Sequence, residues 1–342
     1  MEIDPKIIKH MPKTDLHVHL DGSVRIDSLI ALAKKQNIDL PASEPKKLKS
    51  ILVPGPKCRN LEDYLMPFEI ILAILQEEEA LARVAYELAE DSAKENVWYL
   101  EVRYSPVLHT RRGMKLTTII DAVLTGLREA ERKYNIKTGV IICGMRNISP
   151  ATSIILADLA VAYKNRGVVG FDLAGIEENY PAKHHREAFY RILNNNINCT
   201  AHAGEAYGPD SIHQALHYCG AHRIGHGTRL KEDGDLLNYV NDHRIPLEIC
   251  ITSNVQTRAV QSLEQHPLKF YYDFGLRVTI NTDNRLISDT TVTRELMLAA
   301  KYAQLNMADL KTIIVAGFKS AFLPMREKAI MLNLLNRELE KY

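Results

Sequence analysis

The sequence lacks the features that would tie it to a membrane, a nucleic acid or a disulfide scaffold. Its 43 Lys and Arg residues nearly balance its 42 Asp and Glu residues, so no net field favours anionic partners. The five cysteines contain no CxxC pair, which argues against a disulfide framework and a structural zinc knuckle. No apolar run is long enough to span a bilayer, and the first residues lack a signal-peptide pattern. We therefore expect a cytoplasmic protein with reduced cysteines and with neither a membrane nor a nucleic-acid partner.

Linkers and repeats are also missing. No stretch is rich in Pro, Gly or Ser, none has low complexity, and no motif recurs at a fixed period. The chain has 342 residues, of which 46% are hydrophobic, and this is enough to bury a large core. We therefore expect a single domain over residues 1–342.

Short apolar segments alternate with segments of helical periodicity. Eight segments have strand character: 14–19, 97–104, 139–145, 168–173, 197–202, 223–226, 246–251 and 277–282. Helical periodicity marks 77–96, 116–134, 151–166, 184–194 and 208–220, and a final helical stretch covers 294–342. Alternating strands and helices form parallel sheets, so eight such units predict an α/β fold, a (β/α)8 TIM-type barrel. A doubly wound open sheet is the alternative, but no strand is followed by the glycine fingerprint of a dinucleotide turn.

Four of the predicted strands end in residues that can bind metals or transfer protons. They carry the sequences TDLHVH at 14–19, HAGE at 202–205, HRIGHG at 222–227 and TINTDN at 279–284. His17 and His19 are two residues apart, so the alternation of a strand points both imidazoles to the same face. Isolated, such a pair would more often be hydrogen-bonded core histidines. Because active sites of these barrels lie at the C-terminal ends of the strands, the four endings predict one shared site.

The residue types at these strand ends favour a metal-dependent hydrolase. His17, His19, His202 and Asp283 offer three imidazoles and a carboxylate, a donor set that fits one zinc ion with a position open for water. Zinc lowers the pKa of its water from about 16 to about 7, which makes hydrolysis the natural reaction class. Glu205 is then placed to exchange protons with a substrate. His226, on the next strand, is placed to orient or deprotonate the water.

Five stretches together carry a resemblance to a known family. They are MPKTDLHVHLDGS at 11–23, FDLAG at 171–175, HAGE at 202–205, HRIGHG at 222–227 and NTD at 281–283. In this order, and over nearly the whole chain, they resemble the adenosine deaminase family of the amidohydrolase superfamily. The resemblance implies hydrolysis of adenosine, and of 2′-deoxyadenosine, to inosine and ammonia. It also implies one zinc ion per chain, held by His17, His19, His202 and Asp283.

The resemblance further implies roles for residues around the substrate. Glu205 would shuttle a proton at purine N1, and His226 would act on the attacking water. The backbone N–H of Gly175 would contact purine N3, and Asp21 would bind the ribose 5′-hydroxyl. His19, next to Asp21, would line the substrate site as well as bind the metal.

A lid over the substrate is also implied, in a segment around residues 58–75. Leu61, Tyr64, Leu65 and Phe68 match the apolar lid of similar enzymes, although residues at this spacing could equally form a packed amphipathic turn. Asn284 departs from the family pattern, in which animal enzymes carry a second aspartate that acts at purine N7. An Asn amide donates a hydrogen bond without titrating, so Asn284 could serve N7 in the same way.

Other readings of the same residues are less favoured. Binuclear relatives carry a lysine at the end of the fourth strand, whereas residues 172–175 here are DLAG. The H-x-E and P-C-x-x-C signature of cytidine-type zinc deaminases is absent. Deamination of another 6-aminopurine, such as adenine, aminofutalosine or a thionucleoside, stays open. So does a catalytically silent barrel that binds nucleosides or protein partners.

Overall fold

The computed structural model describes residues 3–55 and 58–342 and shows a parallel barrel. Its strands are β1 Lys13–His19, β2 Val97–Tyr104, β3 Lys137–Met145, β4 Val168–Ala174, β5 Asn198–Ala203, β6 Arg223–His226, β7 Leu247–Ile249 and β8 Val278–Ile280. Each strand pairs in parallel with its sequence neighbours, in the order β1 to β8. A parallel bridge between Val18 and Asp283 brings the first and last strands together. The predicted (β/α)8 barrel is confirmed.

Helices surround the strands. Those of the described residues are α1 Pro5–His10, α2 Ile26–Gln36, α3 Pro45–Leu52, α4 Leu61–Leu65, α5 Phe68–Ile74, α6 Glu78–Ala93, α7 Leu116–Lys133, α8 Pro150–Ala162, α9 Arg186–Asn194, α10 Pro209–His217, α11 Gly234–Asp242, α12 Ile251–Gln256, α13 Leu268–Phe274, α14 Val292–Tyr302, α15 Met307–Ser320 and α16 Met325–Leu339. Short 3-10 turns lie at Pro106–His109, Ala182–His185, Leu230–Glu232 and Leu263–Gln265. In the part of the chain that the structure describes, no helix is both long enough and apolar enough to cross a membrane.

The predicted segments overlap these elements, although several ends differ by a few residues. The predicted final helical stretch, 294–342, is three separate helices, α14 to α16. The seventh strand is shorter than predicted because α12 begins at Ile251, directly after Cys250. Helix packing follows the expected periodicity: in α7, the buried Ile119, Val123 and Leu127 form one stripe at spacings of four residues. Apolar stripes of this kind cover the outside of the barrel and leave its interior to other side chains.

The barrel interior contains a network of paired charges. Arg103 donates to Asp172 at 3.0 Å and to Glu248 at 2.9 Å. Arg223 donates to the other oxygen of Glu248 at 2.6 Å and also pairs with Glu101. These side chains are all buried. Buried charges are tolerated only when they are paired and hydrogen-bonded, so the network must form as a unit.

Candidate active site

The four predicted metal ligands meet at the C-terminal end of the barrel. His19 Nε2 lies 3.1 Å from His202 Nε2 and 3.4 Å from Asp283 Oδ1, and His17 Nε2 lies 3.5 Å from the same Asp283 oxygen. The backbone explains this closeness: Asp283 N–H donates to the His17 carbonyl, and the Asp283 carbonyl accepts from His19 N–H. Asp283 has a φ of 60°, which turns the chain at this point. The end of the eighth strand is thus fixed between the two histidines of the first.

Hydrogen bonds behind the histidines leave their Nε2 atoms available. His17 donates through Nδ1 to Glu248 at 2.8 Å, and its buried Nε2 has no hydrogen-bond partner within residues 3–55 and 58–342. The Nδ1 of His202 lies 3.0 Å from an oxygen of Asp172. Carboxylates in this position orient metal-binding imidazoles and fix the nitrogen that carries the proton. An unpartnered Nε2 facing a carboxylate therefore fits a divalent cation.

Glu205 and His226 lie next to this cluster. The Nε2 atom of His226 is 3.5 Å from an oxygen of Glu205. Ligand atoms of His226, His17, His202 and Asp283 all lie within 4.8 Å of one another. Burial, together with the nearby charge of Asp283, raises the pKa of Glu205 to about 8. A carboxyl with this pKa holds its proton at neutral pH and can donate it.

A chain of hydrogen bonds determines which nitrogen of His226 carries the proton. The backbone N–H of Leu268 can only donate, and it donates to His266 Nδ1 at 3.1 Å. His266 must then donate through Nε2 to Asn254 Oδ1, at 3.2 Å, and the Asn254 amide donates to His226 Nδ1 at 2.9 Å. Neutral His226 therefore carries its hydrogen on Nε2, the atom that faces Glu205.

A cavity of about 210 Å³ lies above the cluster, and the predicted substrate contacts form part of its wall. Those in the wall are His19, Asp21, Leu61, Tyr64, Leu65, Phe68, Gly175 and Asn284. Burial raises the pKa of the Asp21 carboxyl to about 6. Gly175 has a φ of 93°, and a side chain there would meet Asn147 Oδ1 at 2.9 Å from its first carbon. Glycine therefore leaves the backbone open to the cavity at this turn.

The lid segment is held by polar contacts as well as apolar ones. Tyr64, in α4, is buried, and its hydroxyl lies 2.8 Å from Ser288 Oγ. Asn284 donates to the same hydroxyl at 3.0 Å, while its Oδ1 is buried without a partner. A side chain at Gly22 would collide with Asn284, since its first carbon would lie 1.8 Å from that Oδ1. Asn284 thus connects the lid with the turn after the first strand.

The sequence did not single out several residues of the wall. Ser105 follows β2, Met145 ends β3, and Asn147 lies two residues further on; all three line the cavity. These strand ends lack histidine and aspartate, so no motif drew attention to them. Their position at the C-terminal ends of barrel strands was the one available signal.

Glu177 is a second omission, and it positions the loop that carries Glu205. Its carboxylate accepts backbone hydrogen bonds from Gly204 at 2.6 Å, Glu205 at 3.0 Å, Ala206 at 2.6 Å and Tyr207 at 3.0 Å. Successive backbone N–H groups that converge in this way form a concave site for an anion. Glu177 supplies that anion from the loop after β4, and the turn after β5 is thereby fixed.

We predict that Glu177→Gln loosens this turn. Gln keeps one carbonyl oxygen as an acceptor, but its NH2 group cannot accept, so the buried N–H groups that face that end lose their acceptor, at about 1 to 3 kcal/mol. Hydrogen exchange measured by mass spectrometry should show faster exchange in this segment, by roughly 5- to 150-fold. The control is Glu178→Gln, because Glu178 is exposed on the same loop. Equal protection in Glu177→Gln and the parent would contradict the positioning role.

Comparison with known proteins agrees with this geometry. The family model described as "Adenosine deaminase" matches residues 12–338. A "Probable adenosine deaminase" of Dictyostelium discoideum is 41% identical over 94% of this chain and 42% of its own length. The "Adenosine deaminase" of Clostridium kluyveri is 40% identical over 93% of this chain and 91% of its own.

Solved structures show the same fold. Adenine deaminase from Arthrobacter aurescens has a TM-score of 0.90 and 26% identity, over 96% of this chain and 99% of its own. Arabidopsis ADAL complexed with GMP has a TM-score of 0.87 and 25% identity, over 97% of this chain and 98% of its own. The match of the family model over most of the sequence, together with relatives about 40% identical, shows that the chain belongs to the adenosine deaminase family.

Proposed function

We propose that the protein hydrolyses adenosine, and 2′-deoxyadenosine, to inosine and ammonia. The observation that carries the proposal is the convergence of His17, His19, His202 and Asp283 below a cavity that also contains Glu205. In the reaction a water oxygen forms a bond to C6 of the purine, and the bond from C6 to the amino nitrogen breaks. The leaving nitrogen departs as ammonia, so a proton donor near the ring and an oriented water are required.

We assign the metal site to one zinc ion per chain. The donor set of three imidazole nitrogens and one carboxylate oxygen is of the kind that zinc prefers. The unpartnered Nε2 of His17 and the carboxylates behind His17 and His202 support this assignment. Bound zinc would supply a water that ionises near neutral pH. The protein residues then have to position the purine and handle its protons.

Glu205 is the proposed proton donor to purine N1. Its raised pKa of about 8 keeps it protonated at neutral pH, so it can transfer that proton as water adds to C6. Purine N1 is an acceptor next to C6, and protonation there draws electron density away from the carbon under attack. The same carboxylate can afterwards carry a proton towards the leaving amino group.

For His226, the hydrogen-bond chain favours orienting the water over deprotonating it. With Asn254 donating to Nδ1, the neutral ring offers Nε2–H as a hydrogen-bond donor. A donor can hold the water oxygen by one of its lone pairs, whereas a base would need a free nitrogen there. His226 is therefore assigned the orienting role.

The remaining substrate contacts extend the proposal to a nucleoside. Asp21 is assigned to the ribose 5′-hydroxyl, the Gly175 backbone N–H to purine N3 and the Asn284 amide to N7. The Asn284 amide has a second N–H besides the one donated to Tyr64, so the N7 contact is compatible with the lid contact. A cytoplasmic location and the closing action of the lid segment stay predictions.

The metal assignment predicts that His17→Ala and His202→Ala lose the metal together with activity. Each change removes one nitrogen donor from the set. Elemental analysis of purified protein should give close to one zinc ion per parent chain and a marked deficit in both variants. His213→Ala serves as the control, since His213 is exposed in α10. Full occupancy in both ligand variants would remove these residues from the ligand set.

The proton-donor assignment predicts that Glu205→Gln lowers kcat by roughly 10²- to 10⁴-fold or more while zinc content is kept. Glutamine keeps the size and hydrogen bonding of Glu205 but has no proton to transfer. Adenosine turnover is followed by its ultraviolet absorbance, with zinc content measured on the same samples. Turnover at the parental rate in Glu205→Gln would show that another group protonates N1.

The nucleoside assignment predicts that adenosine is turned over faster than adenine and faster than 5′-deoxyadenosine. A buried carboxylate left without its hydroxyl partner costs about 1 to 3 kcal/mol, or roughly 5- to 150-fold in kcat/KM. Asp21→Ala should therefore lose activity on adenosine but treat adenosine and 5′-deoxyadenosine alike. Faster turnover of adenine by the parent would instead identify an adenine deaminase.

A further inference from the structure

Two cavities adjoin one another at the opposite end of the barrel from the candidate active site. Their volumes are about 580 and 420 Å³, and both have Arg244, Arg277 and Lys319 in their walls. The walls include the first residues of β6 and β8, so the cavities lie at the amino-terminal ends of the strands. We call them together the basic cleft, defined by its cations Arg244, Arg277, Lys311, Lys319 and Lys328. Neither cavity shares a wall residue with the cavity above His202.

The cations of the basic cleft are not neutralised by carboxylates. No Asp or Glu occurs among the described residues of either wall. Within residues 3–55 and 58–342, the side chains of Arg277, Lys311 and Lys319 form no hydrogen bond or ion pair. Arg244 and Lys328 donate only to backbone carbonyls, each at 3.2 Å. Some surface cations outside the cleft pair with carboxylates; Lys133, for example, pairs with Glu129 at 2.7 Å.

The cations also repel one another. Burial and the positive charge of Arg244 lower the pKa of Arg277. Burial lowers the pKa of Lys328 as well; Arg223 and Arg277 add to this effect, and Glu101 opposes it. Arg223, which lies in the wall, is already paired with carboxylates of the barrel interior. The positive charge of the cleft is thus not balanced by a carboxylate in the described walls, and an anion bound there would relieve the repulsion.

An independent observation points to a ligand in the same place. Ser320 is 6% exposed and lies in the wall of the smaller cavity, and among the described residues its buried Oγ has no hydrogen-bond partner. Buried hydroxyls almost always have a partner, so this one is an unused donor at the wall of the cavity. The hydroxyl of Tyr272, in the other wall, is instead satisfied by Asp309 at 2.9 Å. The Asp309 carboxylate also accepts a hydrogen bond from the backbone N–H of Asn306.

We propose that the basic cleft binds a phosphate-bearing anion. Phosphate oxygens accept several hydrogen bonds at once, and Arg and Lys side chains around one cleft are the groups that bind them. The cavity volumes lie within the range of small-molecule sites, roughly 300 to 1,000 Å³, which admits an anion as large as a nucleotide. The site stands on residues outside the candidate active site and does not depend on the proposed reaction.

Binding at this end of the barrel should stabilise the fold. The cleft joins the starts of β6 and β8 to α15 and to the segment before α16, and a ligand that binds only the folded chain raises its melting temperature. Relief of the repulsion of Arg277 by Arg244 and of Lys328 by Arg277 acts in the same direction. The ligand-free protein carries this repulsion unrelieved.

The test is isothermal titration calorimetry of the zinc-loaded protein with inorganic phosphate, pyrophosphate and ATP in separate arms, at low salt. We expect saturable binding that weakens with added NaCl. The ligand that binds most tightly, among phosphate, pyrophosphate and ATP, indicates the size and charge of the natural ligand. Arg277→Gln and Lys319→Gln should each raise Kd at least tenfold. The melting temperature of Arg277→Gln without ligand should equal or exceed that of the parent, because its repulsion by Arg244 is removed.

Arg132→Gln is the matched control, because Arg132 is exposed in α7 and lines neither cavity. It should bind as the parent does. Absence of saturable binding in all three arms would overturn the proposal. So would parental affinity in both cleft variants, or an equal loss in Arg132→Gln, which would indicate attraction to surface charge in general. If one cleft variant failed to fold, the other would still decide the outcome.

Discussion

The candidate site depends on one charged contact inside the barrel, the bridge that Arg103 makes between two buried carboxylates. Arg103 pairs with Asp172 and with Glu248, and these same carboxylates contact Nδ1 of His202 and of His17. Although burial opposes ionisation, the charges of Arg103 and Arg223 hold the pKa of Glu248 well below its usual range. The carboxylates therefore stay charged and keep accepting from Nδ1, so the Nε2 of His17 points to Asp283 and that of His202 to His19, within the candidate ligand cluster. Burying so many charges costs free energy of desolvation. Here the paired carboxylates orient the candidate ligands His17 and His202.

The sequence predicted which candidate ligands lie together because two rules relate the position of a residue in the sequence to its position in the barrel. Alternation along a strand places His17 and His19 on one face, and barrel topology brings the ends of distant strands to one rim. Neither rule identifies the carboxylates that contact these histidines from behind. Glu248 contacts a histidine 231 residues away, and its own strand, β7, carries no recognisable motif. Asp172 lies within the recognised stretch FDLAG at 171–175, but its role depends on its ion pair with Arg103, which the sequence does not show.

The lid segment shows the same limit, because its contacts are made with residues far away in the sequence. The resemblance identified an apolar lid in the segment from Leu61 to Phe68, and Leu61, Tyr64, Leu65 and Phe68 do line the cavity. The hydroxyl of Tyr64 changes the character of that segment, because it meets Asn284 and Ser288 in the loop after β8. The lid residue Tyr64 and Asn284, the residue that departs from the family pattern, are thus in direct contact. Considered separately, neither position indicates the other.

The state of His226 follows from a donor that is far from it in the sequence. Imidazoles and amides can each be reversed, but a backbone N–H cannot, and the N–H of Leu268 therefore settles the direction of every bond up to His226. The proton is placed on Nε2 by the fold and not by the histidine itself. Glu177 acts comparably on Glu205, since it fixes the backbone of the turn and leaves the carboxyl free. The candidate catalytic residues His226 and Glu205 are thus held by Asn254 and Glu177, which do not line the cavity, and the geometry of the site depends on the loops behind it.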